Sequence, residues 1–300
     1  TSTAKQRPEG GWLWKISGNG LSHPSYLFGT YHGTYDILYQ YTDSIPELHQ
    51  AFNACSQFAG ESETTSKPTP AQVGVAIKLP KDTTYADLLN KEDFHFLDSI
   101  VRQSLKSPLN KVYIKPNFLA LILGEIEKGK KLVDTGYSQS QIDSMKSQVM
   151  DIALEKKAKE KGLTIVGLEG IFDAFVSEKS NLKKEADELI SDLREDDEIS
   201  PLSFVNTLSD VYRTQNMKSL IDFEVKVDSI FRTSPKLTEI GKRIREDLLK
   251  RRNLNWMNKI PELMKAQPTF IAVGVRHLPG KDGLIALLLE KGYQVEPIGL

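Results

Sequence analysis

The chain has 300 residues, of which 39% are hydrophobic and 26% charged, and this composition is typical of a globular protein that buries a substantial core. Its net charge of −1 gives no electrostatic reason to expect a nucleic acid or an anionic membrane as partner, and no apolar run approaches the roughly 18–20 residues of a transmembrane span. The single cysteine, Cys55, excludes an internal disulfide and a zinc-finger cluster.

The first residues, 1–6, are small and polar and do not begin with Met. Such a start is typical of a mature protein whose leader has been removed, so we expect an exported protein that is periplasmic, lipid-anchored or secreted. A trimmed boundary would leave the same sequence.

The N-terminal region predicts a β-hairpin. Residues 11–16 alternate bulky side chains as a strand does, residues 17–20 contain the Asn-Gly turn signal, and residues 21–28 form the returning strand. Pro24 places the first part of that strand in a loop or at an edge. The hairpin delivers Gly29 and His32.

The next segment predicts one helix and one short strand. Residues 45–52 read as a helix with proline in its first turn, and residues 56–59 read as a third strand that leads to Glu61. A loop rich in proline, serine and threonine covers residues 64–70. Residues 84–127 are helical in pattern, with a break near Pro116.

The centre of the chain predicts an α/β unit followed by more helix. Residues 143–161 read as a long amphipathic helix that ends at Gly162, and residues 163–169 follow as a short buried strand. Residues 177–265 are charge-rich and helical, with a loop at 233–235.

The C-terminal region returns to strand structure. Residues 270–273 form a buried strand, 284–291 a helix capped by Gly292, and 293–298 a last strand. The predicted fold is therefore α/β: a single domain over residues 1–300 with a small mixed central sheet built from both chain termini and flanked by helices. The large helical insertion, at about 80–160 and 177–265, is expected to cover the sheet as a lid or substrate-binding subdomain.

A short pattern occurs at both ends of the chain. The strand 26–28 closes on Gly29 with His32 three residues later, and the strand 270–273 closes on Gly274 with His277 three residues later. If the two strands are neighbours, both imidazoles reach the same edge of one sheet, where open α/β sheets bind ligands. Two converging imidazoles indicate either a metal site or a catalytic pair.

Two glutamates occupy comparable positions after strand-like runs. Glu61 and Glu169, with His32 and His277, would suit Zn²⁺, Mn²⁺, Fe²⁺ or Co²⁺. A metal there would polarise a carbonyl and lower the pKa of bound water, and a glutamate not needed as a ligand could act as general base. The alternatives are histidines and carboxylates hydrogen-bonded in loops, and a Glu169 that caps a helix starting near Phe172.

Other polar residues have weaker claims. The basic run at 250–253 is typical of a solvated helix face, although one of its arginines could reach the site, and Arg276 beside His277 is better placed to bind a substrate carboxylate or oxyanion. Cys55 is expected to be a small buried residue. Exposed or packing positions are expected for the remaining histidines, His23, His49 and His95. HExxH, P-loop, Rossmann and nucleophile-elbow motifs are absent from the sequence.

The chain resembles the TraB/GumN family, also called TraB/PrgY, and is similar to the TIKI metalloproteases. The matching segments run in the family's order across nearly the whole chain: Leu13-Trp14-Lys15-Ile16, Tyr26-Leu27-Phe28-Gly29-Thr30-Tyr31-His32, Gly60-Glu61, Val166-Gly167-Leu168-Glu169, Arg252-Asn253, Ala272-Val273-Gly274-Val275-Arg276-His277-Leu278-Pro279-Gly280, Gly283 and Gly292-Tyr293. The two Gly-X-X-His units are the family's hallmark.

The resemblance implies a metal-dependent hydrolase centred on His32, His277 and Glu61, with Arg252 in support, and TIKI-like members are Mn²⁺- or Co²⁺-dependent peptidases. It also implies a fold related to erythromycin-esterase-like and haem-binding ChaN-like proteins. Two departures bear on substrate or metal preference: Glu169 is followed by Gly-Ile-Phe-Asp, and Arg276 replaces a small residue.

Three hypotheses follow. The leading one is a metallohydrolase that acts as a peptidase on a peptide or protein substrate with Mn, Co or Zn. The alternative is a non-catalytic protein that binds a peptide or haem in the same crevice. The third is a family member without metal, since Arg276 would place a cation beside the second histidine. Substrate, metal identity and oligomeric state stay open.

Overall fold

The computed structural model describes residues 10–63, 68–173, 181–194 and 201–299. Several sequence predictions fall partly outside the described residues: the polar start at 1–6, the loop over 64–67, and the helical stretches at 177–180 and 195–200. Within the described ranges, no helix is both long and apolar enough to cross a membrane.

The described residues form one six-stranded mixed sheet. Its strands are β1 (Leu13–Ser17), β2 (Ser25–Thr30), β3 (Gln57–Gly60), β4 (Thr164–Gly167), β5 (Thr269–Gly274) and β6 (Gln294–Pro297). Their order across the sheet is β4-β3-β5-β2-β1-β6. The first four strands in that order pair in parallel, whereas β1 is antiparallel to both β2 and β6. The predicted α/β fold, with a small mixed sheet built from both termini, is confirmed.

Helices connect the strands. They are α1 (Pro46–Asn53), α2 (Pro70–Ile77), α3 (Tyr85–Leu88), α4 (Lys91–Leu105), α5 (Pro116–Asp134), α6 (Gln139–Ser147), α7 (Met150–Glu160), α8 (Leu182–Arg194), α9 (Pro201–Arg213), α10 (Met217–Phe231), α11 (Pro235–Arg243), α12 (Arg251–Trp256), α13 (Ile260–Ala266) and α14 (Leu284–Glu290). A π-helical segment, Ile244–Lys250, joins α11 to α12, and 3₁₀ turns cover Tyr39–Ser44, Leu109–Lys111 and Val275–His277.

The chain divides into two compact units. The first, Thr1–Ser66 with Met145–Ile171 and Ile199–Leu300, contains the sheet. The second, Lys67–Ser144 with Phe172–Glu198, is helical where it is described and has its own buried cluster, which includes Leu97 and Leu119. A single domain over residues 1–300 stays a prediction.

Local predictions agree closely with the structure, with two clear exceptions. The strand predicted as buried at 163–169 is the edge strand β4, and its residues are exposed or half-buried because only one neighbour covers it. Asn19 adopts a positive φ of 46° in the predicted turn, and α5 begins at Pro116 where a break was expected. The predicted helix over 143–161, however, is interrupted: α6 ends at Ser147 and α7 begins at Met150. Val149 is extended, and the carbonyl of Gln148 accepts a hydrogen bond from the amide of Tyr39. A tertiary contact therefore overrides the local helical pattern.

The sheet brings distant parts of the chain to one edge. The parallel strands β2, β3, β4 and β5 run in the same direction, so their carboxyl ends lie side by side. In register, Thr30 lies opposite Gly274, and Gly60 lies opposite both Gly167 and Ala272. This edge is where an open α/β sheet binds its ligands.

Candidate functional site

Each of the four strand-end residues singled out from the sequence follows one of these parallel strands. His32 comes two residues after β2, Glu61 directly after β3, Glu169 two residues after β4, and His277 in the turn that follows β5. His277 Nε2 lies 3.7 Å from Glu61 Oε1. The sheet therefore gathers side chains from both ends and the middle of the chain.

Gly274 is the point at which three of these side chains meet. A Cβ added at Gly274 would lie 3.1 Å from His32 Cε1, 3.2 Å from Glu61 Oε1 and 3.7 Å from His277 Cδ2. The Gly274 amide also donates a 2.7 Å hydrogen bond to Glu61 Oε1. Glycine leaves room here, because even a methyl group would press against the His32 ring and the Glu61 carboxylate.

His277 is buried and its orientation is fixed by Asn253. The amide nitrogen of Asn253 donates to the backbone carbonyls of His277, at 3.2 Å, and Asp282, at 2.9 Å. Asn253 Oδ1 is therefore the acceptor, and His277 Nδ1 donates to it at 2.7 Å. This assignment leaves the lone pair of His277 on Nε2, the atom that faces Arg252 Nη1 at 3.3 Å.

His32 is held in a comparable way on the more open side of the site. Its Nδ1 donates to Asp151 Oδ2 at 3.2 Å, and Asp151 Oδ1 accepts from the Thr30 hydroxyl at 2.7 Å. About half of the His32 side chain is exposed, at 53%. An imidazole whose Nδ1–H is bound by an oxygen acceptor, with Nε2 free to face a ligand, is the usual arrangement of a metal-binding histidine.

Arg252 lies among His32, Glu61, Glu169 and His277, and these five residues form a polar cluster. Arg252 Nη2 donates to Glu61 Oε2 and to Glu169 Oε1, both at 2.5 Å, and its Nε donates to Glu169 Oε1 at 2.9 Å. Its Nη1 faces His277 Nε2 at 3.3 Å. One guanidinium therefore connects both glutamates and the buried histidine.

Glu169 is held from two sides. Besides its bonds to Arg252, its Oε2 accepts from the indole nitrogen of Trp256 at 3.0 Å. The Trp256 ring lies 4.5 Å from the His277 ring and 4.7 Å from the guanidinium carbon of Arg252. In this structure Glu169 faces the arginine and the indole.

Arg276 points to a different carboxylate. Its Nε and Nη2 donate to the two carboxylate oxygens of Glu224, at 2.6 and 2.8 Å. Glu224 lies on α10, and the two side chains form a bidentate ion pair. The guanidinium of Arg276 thus has a partner outside the cluster around Gly274. Catalytic roles for Arg252 and Arg276 stay predictions.

The electrostatics of the cluster are dominated by mutual contacts. Burial alone would raise the pKa of Glu61, but His277, Arg252 and His32, with the Gly274 amide, lower that pKa to about 2. Burial, aided by the positive charge of Arg252, lowers the pKa of His277 to about 3. Desolvation alone would lower the pKa of His32. The negative charge of Asp151 and its hydrogen bond to the ring outweigh this effect and raise the pKa to about 9.

A cavity of about 240 Å³ lies beside His32 and Glu61. Its walls are formed by His32, Phe58, Gly60, Glu61, Ser62, Val149, Asp151, Ile152, Glu155 and Ala272. This volume is below the roughly 300–1,000 Å³ typical of sites for drug-sized ligands. It suits a single side chain or a short polar group better than a large planar cofactor.

The remaining histidines and the cysteine lie outside this cluster. His49 pairs with Asp43 at 3.1 Å, His23 is exposed, and His95 lies on α4 in the second unit. Cys55 is buried, as expected, and its thiol faces the carbonyl of Ala51.

A family model described as the TraB/PrgY/gumN family matches residues 12–297. The chain belongs to this family. The match includes all four parallel strands and every residue of the cluster, so the sheet edge with its Gly-X-X-His units is part of the family's shared sequence region. No curated protein and no solved structure matches the chain.

The donor set of this family member is compatible with a divalent transition metal. Both imidazole rings and the Glu61 carboxylate approach Gly274, through His32 Cε1, His277 Cδ2 and Glu61 Oε1, and both imidazoles have their Nδ1–H bound. Among residues 10–63, 68–173, 181–194 and 201–299, however, no three such side chains form a ready-made metal cage. The guanidinium of Arg252 is hydrogen-bonded to both His277 Nε2 and Glu61 Oε2, so two of these donor groups already have a partner.

Sequence reasoning missed two contributors and underrated a third. Asp151 lies in the first turn of α7 and carried no signal beyond that of a helix carboxylate. Trp256 lies four residues after Arg252, and this spacing of one helical turn is a signal that could have found it. Asn253 entered only as part of the Arg252-Asn253 pair.

Proposed function

We propose that this chain is a metal-dependent hydrolase that acts on peptide substrates. The observation that carries the proposal is the matched pair of histidines at neighbouring strand ends. Each has its Nδ1 bound by an oxygen acceptor, Asp151 or Asn253, and Glu61 lies between them. Imidazoles restrained in this way are arranged to offer Nε2 to a metal.

His32 Nε2, His277 Nε2 and the Glu61 carboxylate would hold the metal, and this set of donors suits Mn²⁺, Co²⁺ or Zn²⁺. When bound there, such an ion polarises a carbonyl and lowers the pKa of water. With its pKa raised to about 9, His32 carries a proton on both nitrogens at neutral pH, so ligation would release the proton from Nε2. The bond to Asp151 keeps the other proton on Nδ1.

The protein's own groups have distinct tasks in this proposal. The Gly274 amide and Arg252 fix the two oxygens of Glu61, so its carboxylate is oriented before substrate arrives. Arg252 is also a fixed positive charge beside Glu61, to which developing negative charge on a substrate carbonyl could be drawn. The cavity beside Glu61, with apolar walls at Phe58, Val149 and Ile152, is sized for one substrate side chain.

A second candidate is a non-catalytic protein that binds a peptide at the same edge. The bond from Arg252 Nη1 to His277 Nε2 favours it, because a histidine that accepts from an arginine does not offer that lone pair to a metal. The two candidates differ in turnover: the binder would retain a peptide intact.

The test is hydrolysis of a mixture of unstructured peptides, followed by mass spectrometry. The protein is stripped with a chelator and then supplied separately with Mn²⁺, Co²⁺ or Zn²⁺. We expect cleavage that depends on one of these ions and is lost in the double variant His32→Ala/His277→Ala. The matched control, His49→Ala/His95→Ala, removes two histidines outside the cluster and should cleave as the wild type does. Saturable binding without cleavage would favour the second candidate instead.

A further inference from the structure

Arg252 makes two groups of hydrogen bonds, and the groups face in different directions. Towards Glu169 it donates from Nε and Nη2, and the same carboxylate is held by the Trp256 indole. Towards the Gly274 side it donates from Nη2 to Glu61 and from Nη1 to His277 Nε2. The second group engages atoms that the proposed function assigns to a metal.

Arg252 Nη1 and a metal ion cannot both bind His277 Nε2. Because Nδ1–H of this histidine is committed to Asn253 Oδ1, Nε2 carries the ring's single available lone pair. That lone pair accepts either an N–H from Arg252 or a metal ion. A positive guanidinium 3.3 Å from Nε2 also repels a cation that approaches the same atom.

Glu169 binds the guanidinium of Arg252 independently of His277. Its three hydrogen bonds from Arg252 and the stacking of the guanidinium on Trp256 do not involve His277. Arg252 lies two residues after the π-helical segment Ile244–Lys250, and Nη1 also faces the carbonyl of Leu248 in that segment at 3.4 Å. Short π-helical stretches occur frequently at functional sites.

We propose that Arg252 is a built-in gate of the metal site: its Nη1 occupies His277 Nε2 until a divalent ion binds, and then withdraws from that atom while Nε and Nη2 keep their bonds to the two glutamates. The inference rests on the proposed function and adds its regulation. Glu169 holds the guanidinium through Nε and Nη2 both before and after the ion binds. The gate limits metal affinity and keeps the cluster neutralised while no ion is present.

The test compares affinities for Mn²⁺, Co²⁺ and Zn²⁺, each alone, in the wild type, Arg252→Gln and Arg252→Lys, by competition with a chromophoric chelator. We expect Arg252→Gln to bind at least tenfold more tightly, since it removes both the competing donor and the nearby charge. Arg252→Lys keeps the charge but cannot span three partners, so we expect an intermediate gain. Arg245→Gln is the matched control, because Arg245 pairs with Asp228 away from the cluster, and its affinity should equal that of the wild type.

Trp256 provides a second readout. Addition of Zn²⁺, which does not itself quench an indole, should change its fluorescence in the wild type as the guanidinium shifts, and the change should be much smaller in Arg252→Gln and in Trp256→Phe. Thermal unfolding shows whether each variant is folded. If Arg252→Gln is unfolded, the metal affinity of Arg252→Lys relative to that of the wild type tests the gate.

Equal or weaker metal binding in the Arg252 variants, beside a wild type that binds, overturns the gate and leaves the proposed function standing. Binding by Arg252→Gln but not by the wild type would show that the guanidinium never leaves His277 Nε2, and it would overturn both the gate and the metal-dependent function of the wild type. Absence of binding in every folded variant overturns both proposals.

Discussion

Asn253 holds His277 at two points. It accepts a 2.7 Å hydrogen bond from the ring Nδ1 and donates to the backbone carbonyl of the same residue at 3.2 Å. Both residues are buried, with 2% and 4% exposure. The side chain of Asn253 thus determines both which nitrogen of His277 keeps its proton and where the other nitrogen points.

Replacing Asn253 by alanine should weaken metal binding by about 10- to 100-fold, the usual effect of losing a group that orients a metal-binding histidine. Competition with a chelator measures it. Asn255→Ala is the matched control, because Asn255 is exposed on the same helix. An unchanged affinity in folded Asn253→Ala would show that the asparagine does not position His277.

Gly274→Ala should disturb the site through sterics alone. The new methyl would lie within 3.2 Å of Glu61 Oε1 and 3.1 Å of His32 Cε1, so we expect a loss of stability of about 1–3 kcal/mol and weaker metal binding. Gly129→Ala is the control: no atom lies within 4 Å of its added Cβ, and alanine in this helix should stabilise by about 0.5–1 kcal/mol. Chemical denaturation measures both. A neutral Gly274→Ala would contradict the close convergence at this glycine.

The Arg276–Glu224 pair should contribute to stability as a unit. Both side chains are about three-quarters buried, and their hydrogen bonds are charge-assisted. We expect Arg276→Gln and Glu224→Gln each to cost about 1.5–3 kcal/mol, and the double variant to cost clearly less than their sum. Additive losses in this double-mutant cycle would show that the two residues act independently.

Cys55 should make stability depend on pH in the alkaline range. Burial raises the pKa of its thiol to about 12. In the unfolded chain the thiol ionises near pH 9, so above that pH the unfolded state binds fewer protons than the folded state, and stability falls until about pH 12.

The wild type should therefore lose about 1.4 kcal/mol per pH unit more than Cys55→Ala does over this range. Urea unfolding at a series of pH values gives both slopes. Parallel curves for the two proteins would mean that Cys55 ionises in the folded state.

Much of the fold was predictable because its signals are local. The turn at Asn19, the proline at the start of α5 and the strands that end at Thr30 and Gly274 are all determined by nearby residues. The break at Val149 was not predictable, because it depends on a hydrogen bond from Tyr39, more than a hundred positions away.

The site was predictable in part for the same reason. The two Gly-X-X-His units indicated His32 and His277, and the positions just after predicted strands indicated Glu61 and Glu169. Their convergence depends on β5 lying between β3 and β2, which no local pattern encodes. The partners that decide their chemistry come from helices. Asp151 lay within a region that predicted a continuous helix, and the contacts of Arg252 with both glutamates required the tertiary structure.

The most direct test of the central claim is the metal content of the purified protein after dialysis against Mn²⁺, Co²⁺ or Zn²⁺, measured by inductively coupled plasma mass spectrometry. We expect about one equivalent of one of these ions per chain in the wild type and none in His32→Ala/His277→Ala. A wild type without metal, or a double variant that retains its metal, would contradict the central claim.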